Sequence, residues 1–199
     1  MANLKNYGLL AIAGVFAYYF FFMNDSGNQS ADLGQVLDRS VIAMDNFHGY
    51  VEKNNITELA DKDMNQFNDY LGSVMNSEPR FYDKTIGTSL EKDASFLGFD
   101  DKNGNGIQDE GEEPIFKVEI DGENKRLIAS DPENNSSHTG FSGGGFLAGI
   151  LLGNLLNRQR GAGIAPNSFN DRKSTARSSY KAPSSARSRA RSGGLFGGK

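Results

Sequence analysis

Phe99-Asp-Asp-Lys-Asn-Gly-Asn-Gly-Ile-Gln-Asp-Glu-Gly-Glu112, followed by the alternating Ile115-Phe-Lys-Val-Glu-Ile120, is the stretch on which the reading of this chain turns. Counted from Asp101, oxygen-bearing side chains fall at loop positions 1, 3, 5, 9 and 12: Asp101, Asn103, Asn105, Asp109 and Glu112. Gly106 stands at position 6 and Ile107 at position 7. This is the pattern D-x-[DN]-x-[DN]-G-x5-E of a calcium loop, filled at every specified position. Ca2+ takes about six to eight oxygen ligands, so short Asp and Asn side chains must converge within one tight turn. Gly106 permits the turn, the Ile107 carbonyl supplies a backbone oxygen, and Glu112 closes the sphere with both of its oxygens. The competing reading is a polar, glycine-rich hairpin loop that binds nothing.

Outward from the loop the period is close to two. Thr85 to Glu91 and Ser95 to Phe99 read as strands around a Lys92-Asp93 turn, and Ile115 to Ile120 returns through Asp121-Gly-Glu-Asn124 into Lys125 to Ser130. The loop therefore joins the second and third strands of a small antiparallel sheet. Upstream the period is helical: Leu33, Val36, Leu37, Val41, Met44, Phe47 and Val51 form one stripe, and Ile56, Leu59, Met64, Phe67, Leu71 and Val74 a second. Asn55-Ile-Thr-Glu58 predicts a capping box for the second helix, with Glu78-Pro79 as its stop. A short link makes the two an antiparallel hairpin. The expected fold class is α+β, with a helical hairpin over one sheet face and calcium as a staple for a small core.

The loop Asp101–Glu112 resembles the calcium loop of EF-hand and dockerin proteins. The run from Asn103 to Glu112, with Pro114 and the alternation after it, is similar to calcium loops in the B-type repeats of bacterial surface adhesins. EF-hands carry an aliphatic residue at loop position 8, where this chain has Gln108. The resemblance thus implies a loop between β-strands rather than between helices.

Net charge is −4, but it is split: residues 24–139 hold 24 acids and 10 bases, residues 157–199 ten bases and one acid. The two ends therefore suit different partners. There is no cysteine, which excludes disulfides, thiolate metal sites and a cysteine nucleophile. Tyr7 to Met23 is an uncharged apolar run of 17 residues, the short end of a membrane span at about 1.5 Å per residue. Residues 1–23 are read as an uncleaved anchor, because bulky Tyr18-Tyr-Phe-Phe-Phe22 stands where a signal peptidase needs small side chains; a cleaved signal peptide is the alternative.

Residues 140–156 form a glycine-rich apolar helix and possible second membrane segment. Gly145, Gly149 and Gly153 recur every four residues, a face for self-association or a membrane-protein partner; a soluble packing helix is the alternative. Arg158 and Arg160 follow it on what would be the cytoplasmic side, leaving the acidic domain, residues 24–139, extracytoplasmic at a cell membrane. Residues 157–199, rich in Arg and Ser, read as a disordered basic tail for anionic lipid or nucleic acid. In composition this end is similar to the bacterial YgiB-like family.

His48 lies on a helix and His138 in a polar linker, without triad or zinc spacing, and no phosphate or dinucleotide loop is present, so no catalytic residue is nominated and no enzyme is expected. The expected function is that of a bacterial, membrane-anchored, calcium-binding structural or interaction protein in a membrane-associated complex, with membrane lipids as its surroundings. The alternative is a polyanion binder that works through the basic tail.

Overall fold

The computed structural model describes residues 31–140 and 149–179. Helix α1 (Leu33–Lys53) begins where the Asp32 carboxylate accepts the N–H groups of Gly34 and Gln35 at 2.9 and 3.2 Å, an acid at the positive end of the helix dipole. It ends at Asn55, whose φ of 53° lets the Ile56 N–H turn back to the Val51 carbonyl. This corrects the expected capping box: Asn55 stops α1 instead of starting the next helix. Helix α2 (Asp61–Met75) starts later, with Asp63 reaching back to accept the Ala60 N–H at 2.8 Å. Arg39, early in α1, bonds the carbonyls at the end of α2, whereas Phe47 further along meets Phe67. The two helices therefore run antiparallel, as expected.

Six strands lie in chain order across one sheet: β1 (Ile86–Leu90), β2 (Phe96–Asp100), β3 (Pro114–Asp121), β4 (Arg126–Ser130), β5 (Ser136–Gly140) and β6 (Thr175–Ala176). The first five form an antiparallel meander and β6 runs parallel to β5. The α+β class holds. The polar linker expected around His138 instead delivers β5, whose Ser, His and Thr side chains carry no apolar alternation. Its place is fixed by backbone pairing to β4 and by the Ser137 hydroxyl donating to the Thr175 carbonyl at 3.0 Å.

The register sorts the sheet into two faces. Phe96, Val118 and Ala129 face the helices, where the Phe67 ring meets Phe96 edge-on at 5.3 Å and Phe47 at 5.1 Å. Phe116 lies flat across Gly98, where an added Cβ would sit 2.3 Å from the ring. The opposite face carries Leu97, Lys117, Glu119, Asp121, Arg126 and Ile128.

Helix α3 (Ile150–Gly161) takes up the described end of the stretch expected as a Gly-rich apolar helix and possible second membrane segment. Of residues 140–156 the described part is Gly140 and Gly149 onward, and Leu151, Leu152 and Leu155 enter the same core as α1 and the sheet. Asn154 donates to the Leu59 carbonyl at 3.1 Å and Gln159 to the Ile120 carbonyl at 2.9 Å, so the polar residues of this segment anchor it to the domain. Among the described residues no helix is long and apolar enough to cross a membrane. Gly149 is the buried N-cap of α3, while Gly153 is exposed with nothing within 4 Å of an added Cβ. Gly145 and the anchor at residues 1–23 lie outside the described residues.

The basic tail also departs from expectation, because its first part is folded. Residues 162–179 form a strap over the far face of the sheet and its β5 edge. Phe169 is buried, Arg172 pairs with Glu119 through both guanidinium nitrogens, Arg126 donates to the Phe169 carbonyl at 3.0 Å, and Arg177 pairs with Asp38 of α1 at 2.6 Å. These arginines act as counterions for an acid-rich domain, which is why Arg/Ser composition did not leave this segment loose. Residues 180–199 lie outside the described residues.

Arg39 closes the helical layer. Nearly buried, it donates to the carbonyls of Val74, Ser77 and Pro79 at 2.7, 2.9 and 2.6 Å, and its guanidinium carbon lies 4.9 Å from the Phe81 ring centre. Arg39→Met is expected to lower the unfolding free energy by roughly 2–4 kcal/mol, since these carbonyls lose their donor, with urea denaturation as the measurement. On the far face, burial pushes the Asp121 carboxyl up, but the Asn124 N–H groups and Arg126 outweigh it and hold it below the ordinary carboxylate range. A depressed folded value adds stability above the unfolded pKa of about 3.9 and loses it as pH falls through the folded value. Asp121→Asn should therefore lose stability at neutral pH, by roughly 3 kcal/mol, and show a shallower acid unfolding curve below about pH 4.

Candidate metal centre

The loop between β2 and β3 is clamped at both ends by the sheet. Asp100 N–H donates to the Glu113 carbonyl and Asp101 N–H to the Thr85 carbonyl, each at 3.0 Å, and the register shifts between Gly98 and Phe99 just before the loop opens. These ties bring its first and last acids in from solvent. Asp101 is 6% exposed and Glu112 is 7% exposed, whereas Ile107 at the tip is 66% exposed. Gly104, Gly106 and Gly111 take φ values of 73°, 72° and 84°, the left-handed region a side chain enters only with strain.

The side chains named from the sequence converge on one another. Asp101 accepts the N–H groups of Gly104 (2.7 Å), Asn105 (3.2 Å) and Gly106 (2.9 Å). Glu112 spans the loop, taking the Lys102 N–H on Oε1 at 2.8 Å and the Asp109 N–H on Oε2 at 3.0 Å. The side-chain amides of Asn103 and Asn105 both donate to Asp109 Oδ2, at 2.7 and 2.8 Å, while their oxygens accept from Asn105 and Ile107 N–H at 2.9 and 2.7 Å. Lys102, which the motif leaves unspecified, donates its ammonium to the Gly111 carbonyl.

Buried charge is disfavoured unless it is paired. On the strands that condition is met by cations: Asp100 pairs with Lys84, Glu119 with Arg172 and Asp121 with Arg126, while the buried Asp131 in the β4–β5 turn accepts the Asn135 N–H and side-chain amide, each at 2.8 Å. In the loop it is met by N–H dipoles alone, and among the described residues no Lys or Arg forms an ion pair with Asp101, Asp109 or Glu112.

The donor set is all hard oxygen, which suits Ca2+ by chemistry. A carboxylate oxygen or amide carbonyl has two lone pairs, so Glu112, Asn103 and Asn105 each retain capacity after the bonds described. Among the described residues no group of three or more His, Cys, Asp or Glu stands ready to hold a metal. Any ligation here would therefore depend on amide and backbone oxygens set between the carboxylates.

The other chemistry-bearing residues do not join this site. His48 lies on α1, 3.3 Å from Glu52, and the His138 Nδ1 is 2.8 Å from the Ser174 hydroxyl across β5 and the strap. Arg158 pairs with Asp61, so of the tail's cations at least Arg158, Arg172 and Arg177 are held by acids of the domain itself. Sequence reasoning missed these pairs. The alternation Lys117-x-Glu119-x-Asp121 is the trace they leave, since a buried charged face needs counterions from another segment. Comparison with models of known families, with curated proteins and with solved structures finds no match to this chain.

Because nothing lies within 4 Å of a Cβ added at Gly106, only backbone strain opposes a side chain there. Gly106→Ala is expected to destabilise the domain by about 1–2 kcal/mol and Gly106→Asn by less, since Asn tolerates the left-handed region; chemical denaturation of the two variants separates them.

Proposed function

We propose that this chain is a calcium-stapled structural or interaction module, held at a membrane by its apolar amino-terminal segment. The observation that carries the metal reading is the contrast among its buried acids. Those on the strands meet a Lys or Arg, whereas Asp101 and Glu112 turn their oxygens into a loop of N–H donors. A dication among Asp101, Asn103, Asn105, Ile107, Asp109 and Glu112 would supply the missing countercharge and tie β2 to β3. An acidic domain gains twice from such a cation, through local pairing and through relief of its own repulsion.

The membrane part of the proposal rests on Tyr7 to Met23.

Calcium titration of the full chain in detergent, by calorimetry with a parallel melt, tests the reading. One binding event and a melting temperature that rises with calcium are expected, both abolished in Glu112→Gln. At free calcium a hundred times its dissociation constant the stabilisation should be about 2.7 kcal/mol. No heat and an unchanged melt would reduce the loop to a hairpin turn.

A further inference from the structure

Both Asn-Gly pairs of this chain, Asn103-Gly104 and Asn105-Gly106, fall inside the β2–β3 loop, at the positions of the two amide oxygens. Asn-Gly is the dipeptide in which a backbone nitrogen most readily attacks the preceding side chain, because glycine offers no steric shield. All four residues are exposed, so water reaches them. We infer that Asn103 and Asn105 are sites of spontaneous deamidation whose rate is set by the Asp101 carboxylate.

The chemistry requires only water. The deprotonated Gly104 nitrogen attacks Cγ of Asn103, the N–Cγ bond forms, the Cγ–Nδ2 bond breaks, and Nδ2 leaves as ammonia with the displaced proton. Water then opens the cyclic imide at either carbonyl, giving aspartate or its isoaspartyl isomer. Nothing is oxidised or reduced. Asn105 reacts in the same way through Gly106.

The loop blocks this route at both partners. The two attacking nitrogens, of Gly104 and Gly106, donate to the two oxygens of Asp101 at 2.7 and 2.9 Å. A fixed negative charge at that distance opposes formation of a second one on the nitrogen. The two leaving groups are held as well, since the Nδ2 atoms of Asn103 and Asn105 both donate to Asp109. One buried acid thus guards both nucleophiles and one exposed acid both leaving groups.

The two products have opposite consequences. Aspartate at 103 or 105 still satisfies the loop pattern and adds one carboxylate to the donor set. The isoaspartyl form inserts an extra carbon into a backbone that needs each glycine in its left-handed conformation, and it breaks the loop.

The test is peptide mapping by mass spectrometry of the full chain, aged in mildly alkaline buffer. EDTA in every arm makes the outcome independent of calcium. The folded chain should deamidate at these two sites at least about tenfold more slowly than the same chain in urea, the ratio reporting how seldom the loop opens. Asp101→Asn, checked for folding by circular dichroism, should approach the urea rate, and Asp109→Ala should fall between. Equal rates for the folded and urea-treated chain would overturn the inference, as would a folded Asp101→Asn that ages like the wild type. Should Asp101→Asn fail to fold, the comparisons with urea and with Asp109→Ala still decide.

Discussion

Three rings in contact, Phe47 to Phe67 to Phe96, tie both long helices to the second strand of the sheet. Aromatic pairs of this kind add about 0.5–1.5 kcal/mol each beyond the area they bury. More important is what they position. With Phe67 seated on Phe96, α2 lies along β1, α1 spans the later strands, and Leu151, Leu152 and Leu155 of α3 enter the same core. Phe116 on Gly98 fills the space beside them. The sheet is held flush to the helices one turn of chain before the loop begins, and that rigidity lets Asp101 and Glu112 be buried in a segment otherwise open to water.

A second constraint is electrostatic. A domain with 24 acids and 10 bases between residues 24 and 139 must find cations or N–H dipoles for every carboxylate it buries. The strap supplies Arg172 to Glu119 and Arg177 to Asp38, and Arg126 secures both Asp121 and the Phe169 carbonyl. The charge split that suggested two ends facing different partners is in part an internal pairing: the basic segment begins as the acidic domain's own counterion.

The elements with a clear hydrophobic period were legible in advance. The stripe from Leu33 to Val51, the alternation from Ile115 to Ile120 and the loop between the second and third strands all fall where periodicity placed them. The convergence of Asp101, Asn103, Asn105, Asp109 and Glu112 was also readable, because a motif with glycine at the turn fixes it locally. What escaped was whatever depends on distant partners. β5 has no apolar face and exists by pairing with β4. Asn55 looked like a start because capping boxes and left-handed stops draw on the same residues. From Gly149 onward the glycine-rich stretch joins the core, and composition does not reveal that Leu59 and Ile120 offer carbonyls to Asn154 and Gln159. The strap was lost for the same reason, since arginine spacing gives no hint of which acid it will find.

The Arg177–Asp38 pair joins residues 139 positions apart, while the meander from β1 to β5 is built from neighbours in sequence. A chain made from its amino terminus therefore exposes the first turns of α1 long before their counterion exists. At about 5–20 residues per second the interval is roughly 7–28 s. The local sheet has time to form within it, so assembly proceeds from the middle outward and the clasp closes last. A nascent domain of this design remains open along one helix until residue 177 has been made, a window in which a chaperone has access that the folded domain denies.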